Sequence, residues 1–328
     1  MSRVRARLLL PAVLSLALAC GHGEAFTTPP TGTDQPLLPG TPSRLTYNPL
    51  LDSEIAWSAD GSALIYTATR ADEPNLSRCI ELLPPGGGRS LRSFCPTPLI
   101  QDSTVAFESG AVSDSGQLVF LRSAKSPLNL GWVRRTFVLA SLGGTQLREV
   151  QAIPFAGIIQ PHGGASQLRW LDEGRFVYLA EDYQVVQCLG CVPHDSAPGL
   201  FIVSVDLRSD PATFTQVAGT SGATGVAVEG PDAIVYTLAG DAHVYRQVLS
   251  SGAVTALWDF GAGHSVQWAQ RAGNRLAAIV DGAIWVVDLT AVTSTQLANP
   301  TYGNLALSPD GLRLVALQQR DLWLFDLP

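Results

Sequence analysis

Leu305 to Pro328 reads LALSPDGLRLVALQQRDLWLFDLP, and this stretch decides the fold. An apolar run meets a tight turn at Ser308-Pro309-Asp310-Gly311; an alternating strand follows, and a second short turn leads into another strand. Ser first, Pro second and Gly fourth suit a type I turn. Three strands of this kind cannot bury both faces alone, so copies must stack beside them. Five related units precede it, with turns at Ser58-Ala59-Asp60-Gly61, Ser113-Asp114-Ser115-Gly116, Leu171-Asp172-Glu173-Gly174, Glu229-Gly230-Pro231-Asp232 and Arg271-Ala272-Gly273-Asn274. Each turn lies between a short apolar strand and an alternating one, such as ALIYTAT, QLVFLRS, RFVYLAE and AIVYTLA, and most units add a third strand. Short strands at this spacing predict an all-β propeller of six blades.

The chain stops after the third strand of its last unit. Ser43-Arg44-Leu45-Thr46-Tyr47-Asn48-Pro49 resembles Thr295-Gln296-Leu297-Ala298-Asn299-Pro300, the outgoing fourth strand of unit five. The N-terminal segment is therefore expected to pair with Leu322 to Asp326, completing the last blade and covering an open sheet edge. Arg44-Leu45-Thr46 followed by Ile55-Ala56-Trp57-Ser58-Ala59-Asp60-Gly61, echoed in Leu305 to Gly311, resembles the repeat of TolB-like (WD-type) β-propellers over residues 43–328. The resemblance implies a protein-binding disc; in some members of that family the propeller precedes a hydrolase domain. The small α/β domain that precedes the propeller in TolB itself has no counterpart here.

Residues 1–19, MSRVRARLLLPAVLSLALA, have a basic start and a short apolar run, the pattern of a secretory signal rather than a membrane span of about 20 residues. Leu16-Ala17-Leu18-Ala19-Cys20-Gly21 resembles a bacterial lipobox, which implies lipidation at Cys20; Gly21 after it implies outer-membrane retention. Residues 20–42 are rich in Pro, Gly and Thr and read as a tether to the propeller domain, 43–328. The expected location is thus the bacterial cell envelope, lipid-anchored and exported. The formal charge is −7, and loss of Arg3, Arg5 and Arg7 with no acid takes it to −10. Such a surface argues against nucleic acid, whose phosphates need a basic partner.

Units one to four are spaced 55 to 58 residues apart, against 39 or 40 for the last two, so the surplus lies in loops. The long segments Ser123 to Trp132, Ala152 to Ser166 and Asp182 to Pro198 all fall on one face of a propeller, where they would form a platform for envelope proteins. Of five cysteines, Cys20 is set aside for lipid. Cys79 and Cys95 are symmetric about Gly87 in a Pro84-Pro85-Gly86-Gly87-Gly88 turn, which predicts a cross-strand disulfide. Cys188-Leu189-Gly190-Cys191 reads as a local disulfide, with a redox pair or a metal site completed by His194 and Asp195 as alternatives.

No G-x-S-x-G elbow, phosphate loop or H-E-x-x-H occurs. Aligning the first strands places Glu54, Ser109, Gln167, Gly225, Ser265 and Asn304 in one ring around the axial channel, preceded by Ser53, Glu108, Ser166, Thr224, His264 and Gly303. Glu54, Glu108, Gln167, His264 and Asn304 are the channel-mouth candidates, able to hold a divalent cation through oxygen or to supply an acid–base pair. No other cofactor is implied. Trp57, Trp170 and Trp268 align and are expected to pack between blades. The leading expectation is a non-catalytic protein-interaction or ligand-binding propeller; the alternative is a lyase or lactone hydrolase with its site at the channel mouth.

Overall fold

In the computed structural model, residues 42–47, 50–69, 78–96, 105–125, 133–142, 147–152, 158–160, 165–180, 184–186, 194–195, 201–299 and 301–327 are described. Cys20, Cys188, Cys191 and residues 1–41, where the signal and nearly all of the tether are expected, lie outside them.

Six four-stranded antiparallel sheets form the blades. Blade one holds β2 (Asp52–Trp57), β3 (Leu64–Thr69), β4 (Arg78–Leu83) and β5 (Arg92–Phe94); blade two holds β6 (Val105–Val112), β7 (Gln117–Lys125), β8 (Val133–Ser141) and β9 (Leu147–Ala152). Blade three comprises β11 (Ala165–Asp172), β12 (Arg175–Ala180), β15 (Phe201–Asp206) and β16 (Thr213–Gln216), and blade four comprises β17 (Ala223–Gly230), β18 (Ala233–Leu238), β19 (His243–Val248) and β20 (Val254–Asp259). Blade five is built from β21 (Val266–Ala272), β22 (Arg275–Val280), β23 (Ala283–Asp288) and β24 (Thr293–Ala298); blade six from β25 (Tyr302–Leu307), β26 (Arg313–Gln318), β27 (Asp321–Asp326) and β1 (Ser43–Arg44). A seventh sheet joins β10 (Ile158–Gln160), β13 (Gln184–Val186) and β14 (His194–Asp195).

Closure occurs as the repeat demands. Ser43 pairs with Leu324 and Arg44 with Trp323, and the Leu45 N–H donates to the Leu322 carbonyl at 2.7 Å. Thr46 Oγ1 then accepts from Leu322 N at 2.9 Å. Apolar clusters sit between blades rather than within them. One joins Leu45, Ile55 and Tyr66 to Ala306, Val315 and Leu322 across the closing seam, and five others fill the remaining inter-blade interfaces. The alternation read from the sequence thus serves two neighbouring blades at once.

The serine turns have a mechanism. Ser58 Oγ accepts from Ala63 N and donates to Asp60, and Ser308 Oγ does the same with Arg313 N and Asp310. Gly61, Gly116 and Gly311 close these turns at φ of 69°, 79° and 71°, a region that a Cβ disfavours.

Candidate functional site

Every inner strand carries one extra residue at the same height, a β-bulge opposite its neighbour in the blade. In the first three blades the bulge puts Glu54, Ser109 and Gln167 at φ of 54°, 56° and 56°. Non-glycine residues rarely adopt this conformation, and its threefold recurrence marks it as built into the repeat. The bulges free backbone N–H groups toward the axis. Glu54 Oε2 accepts from Gln167 N at 3.1 Å and from Ser109 Oγ at 3.2 Å. Ser109 Oγ accepts from Leu168 N, and Ser109 N donates to Thr67 Oγ1. Gln167 carries the chain onward, its Oε1 accepting from Val226 N at 2.8 Å and its Nε2 donating to the Thr224 carbonyl at 3.0 Å. A hydrogen-bonded girdle therefore links blades one to four.

Burial holds the Glu54 carboxyl above the usual carboxylate range, against the opposing pull of the Gln167 N–H, the Arg169 charge and the Ser109 hydroxyl. Arg169, two residues beyond Gln167, reaches across the axis. Its Nη1 donates to the Leu168 carbonyl at 2.7 Å and its Nη2 to the Ile55 carbonyl at 2.9 Å. Dehydration lowers its pKa to about 10, with Glu54 pulling the other way, so it stays cationic at neutral pH.

Blade five departs from the sequence alignment. Trp268 pairs with Ile279 where Asn304 pairs with Leu317, so Trp268, not Ser265, occupies the ring position of Glu54. The hairpin there is Ala272 opposite Arg275, two residues wide, instead of a serine turn. Gly225 faces this tryptophan: a Cβ on it would lie 3.1 Å from Trp268 Cα, which explains a glycine in the ring. Trp268 accordingly differs from Trp57 and Trp170. Those two are equivalent, each donating its indole N–H to a carbonyl of the preceding blade, Ala306 at 2.9 Å and Ala111 at 3.0 Å.

The five channel candidates do not converge. Glu54 and Gln167 share the girdle, whereas Glu108 pairs with Arg78 and accepts from Ser123 Oγ at 3.0 Å. His264 lies four residues before the ring position, exposed, its Nδ1 2.6 Å from Asp281 Oδ2. Asn304 is in the ring, but its Oδ1 is buried with no protein partner, as is the adjacent Trp268 Nε1. Among the described residues the one grouping of three His, Cys, Asp or Glu donors is Cys79, Glu81 and Cys95, whose sulfurs form a disulfide. Arg169 was missed in the sequence. Its signal was an arginine at a position filled by Ala56, Ala111, Ala227 and Ala306 in four other blades.

No protein-family model and no curated protein matches the chain. Among solved structures, an oligogalacturonate lyase in complex with manganese aligns with a TM-score of 0.50 at 15% identity, over 88% of this chain and 78% of that one. The likeness is one of fold. It places the chain among β-propellers and carries no residue of the lyase onto the girdle.

Proposed function

We propose that this protein is an exported, lipid-anchored propeller that binds envelope proteins through its loop-rich face, without catalysis. The observation that carries this reading is the seventh sheet. β10 comes from the connection between blades two and three, and β13 and β14 come from the loop between β12 and β15. Two long insertions on one face are thus joined by backbone pairing into a single small sheet outside the blades, the kind of built feature that tolerated loop drift does not need. The filled axis agrees with it, since Glu54, Ser109 and Gln167 satisfy one another and Arg169 crosses the channel. The Cys79–Cys95 bridge favours an oxidising compartment, as the leader and Cys20 do. The test is crosslinking in envelope extracts with the intact protein and with a variant in which residues 182–198 are replaced by a short Gly-Ser connection. The variant should lose the crosslinked partner; a partner retained at equal yield would sink the platform.

The enzyme reading rests on a different observation, a carboxyl whose pKa burial raises, coupled through space to a cation, as Glu54 is to Arg169. The parallel for it is the similar oligogalacturonate lyase, whose substrate is an acidic sugar oligomer. Incubation with oligogalacturonate, with and without manganese, decides it: chain shortening abolished by Glu54→Gln would replace the binding reading.

A further inference from the structure

The channel end at the inner hairpin turns is a funnel of about 450 Å³ bordered by all six inner strands, on the face opposite the platform and independent of it. Its floor is the ring two residues beyond Glu54, where four alanines leave space around Arg169 and Gln270. Gln270 is occupied, its Oε1 accepting from Leu307 N at 2.9 Å. Arg169 is not. Among the described residues two of its five N–H groups meet carbonyls, three remain, and no carboxylate is in ion-pair contact. Glu54, the acid that acts on it through space, is engaged by Ser109 and Gln167. A dehydrated cation that hydrogen-bonds only to two carbonyls, and meets Glu54 only through space, is costly and gains when an anion contacts it directly. A planar guanidinium with free hydrogens is shaped for a two-oxygen acceptor.

The walls narrow the choice of anion. Trp57 and Trp170 line the funnel with their N–H groups already bonded, leaving apolar surface for a ligand body. Two acids also line it, Asp114, which is exposed, and Glu229, which is partly buried. Arg246 and Arg271 both hold Glu229, the latter at 2.5 Å. Among the described residues no cation pairs with Asp114, which opposes a second negative charge. We propose that the funnel binds a small organic monocarboxylate, its carboxylate on Arg169 and its apolar body against Trp57 and Trp170.

Calorimetric titration of the full-length protein with benzoate, and separately with inorganic phosphate at matched ionic strength, tests this. Saturable benzoate binding is expected, accompanied by a rise in melting temperature with ligand concentration. Arg169→Gln should weaken it at least about thirtyfold, since the buried partner of the charge is lost. Ala59→Trp adds bulk at an exposed rim position without touching the core, so it tests the funnel even if Arg169→Gln fails to fold; it too should weaken binding. Absent saturation by benzoate, undiminished binding in Ala59→Trp or in folded Arg169→Gln, or phosphate bound as tightly as benzoate would each overturn the proposal.

Discussion

Glu54 shows how one residue can be satisfied in hydrogen bonding and still oppose folding in its charged form. It accepts from Gln167 N and Ser109 Oγ, yet burial outweighs both and raises its pKa. A carboxyl whose folded pKa lies above its unfolded value binds more protons in the native state. Stability therefore falls as pH rises from the unfolded value, about 4.5, through the folded one, and stays lower above it. Glu54→Gln keeps an oxygen for both donors and removes the charge. Its melting temperature should exceed that of the wild type at pH 7, and the gain should vanish below about pH 4, where the wild-type carboxyl is protonated in both states. Calorimetry at the two pH values checks this; a loss at both would mean that the carboxylate itself holds the girdle. The residue was legible in the sequence as a ring member. Its left-handed backbone and its engagement by a neighbouring blade's N–H were not, because a bulge leaves no mark in apolar alternation.

At the scale of the element, blade one joins what the sequence exposes to what it hides. Ile80 pairs with Phe94, so Cys79 and Cys95 face each other across β4 and the end of β5, 16 residues apart in sequence, as the symmetric hairpin predicts. A loop of this length should stabilise the fold by about 3 kcal/mol through the restricted unfolded chain. Replacing both cysteines by alanine should lower the urea midpoint accordingly. Reductant should lower the wild type to the same point and leave the variant unmoved; a response in the variant would place the sensitive sulfur elsewhere. Blade five was misread for a physical reason. Val266-Gln267-Trp268 copies the apolar ending of the other inner strands, and without a Ser-x-Asp-Gly turn nothing in the sequence fixes the offset. A slip of three residues puts Ser265 in the ring position that Trp268 holds, and His264 beside it. Arg169 escaped notice because one blade's departure from alanine shows only once the rings are superposed in space.

For the whole molecule, the closing seam is where β1 joins β27 and the core of the last blade meets that of the first. Inter-blade clusters stabilise the ring only if the last blade presses against the first, and that seam is clasped by a short strand. Leu45 is 4% exposed between blades one and six, Thr46 gives Leu322 N its acceptor, and Arg44 pairs with Asp321 at 2.8 Å. The partly exposed ion pair contributes little, so the burden falls on Leu45 and the backbone bonds. Leu45→Ala should cost about 3 kcal/mol, because a cavity between two packed sheets cannot collapse without moving a blade. A chain beginning at Tyr47 should lose more and do something that Leu45→Ala does not. Its β27 would present unpaired N–H and carbonyl groups along a free edge, a template for pairing with another copy. Size-exclusion chromatography over a concentration series should find Leu45→Ala monomeric and the shortened chain associating. Should the shortened chain stay monomeric and as stable as the wild type, β27 would have no need of its partner, and the first blade would hold the last by side-chain packing alone.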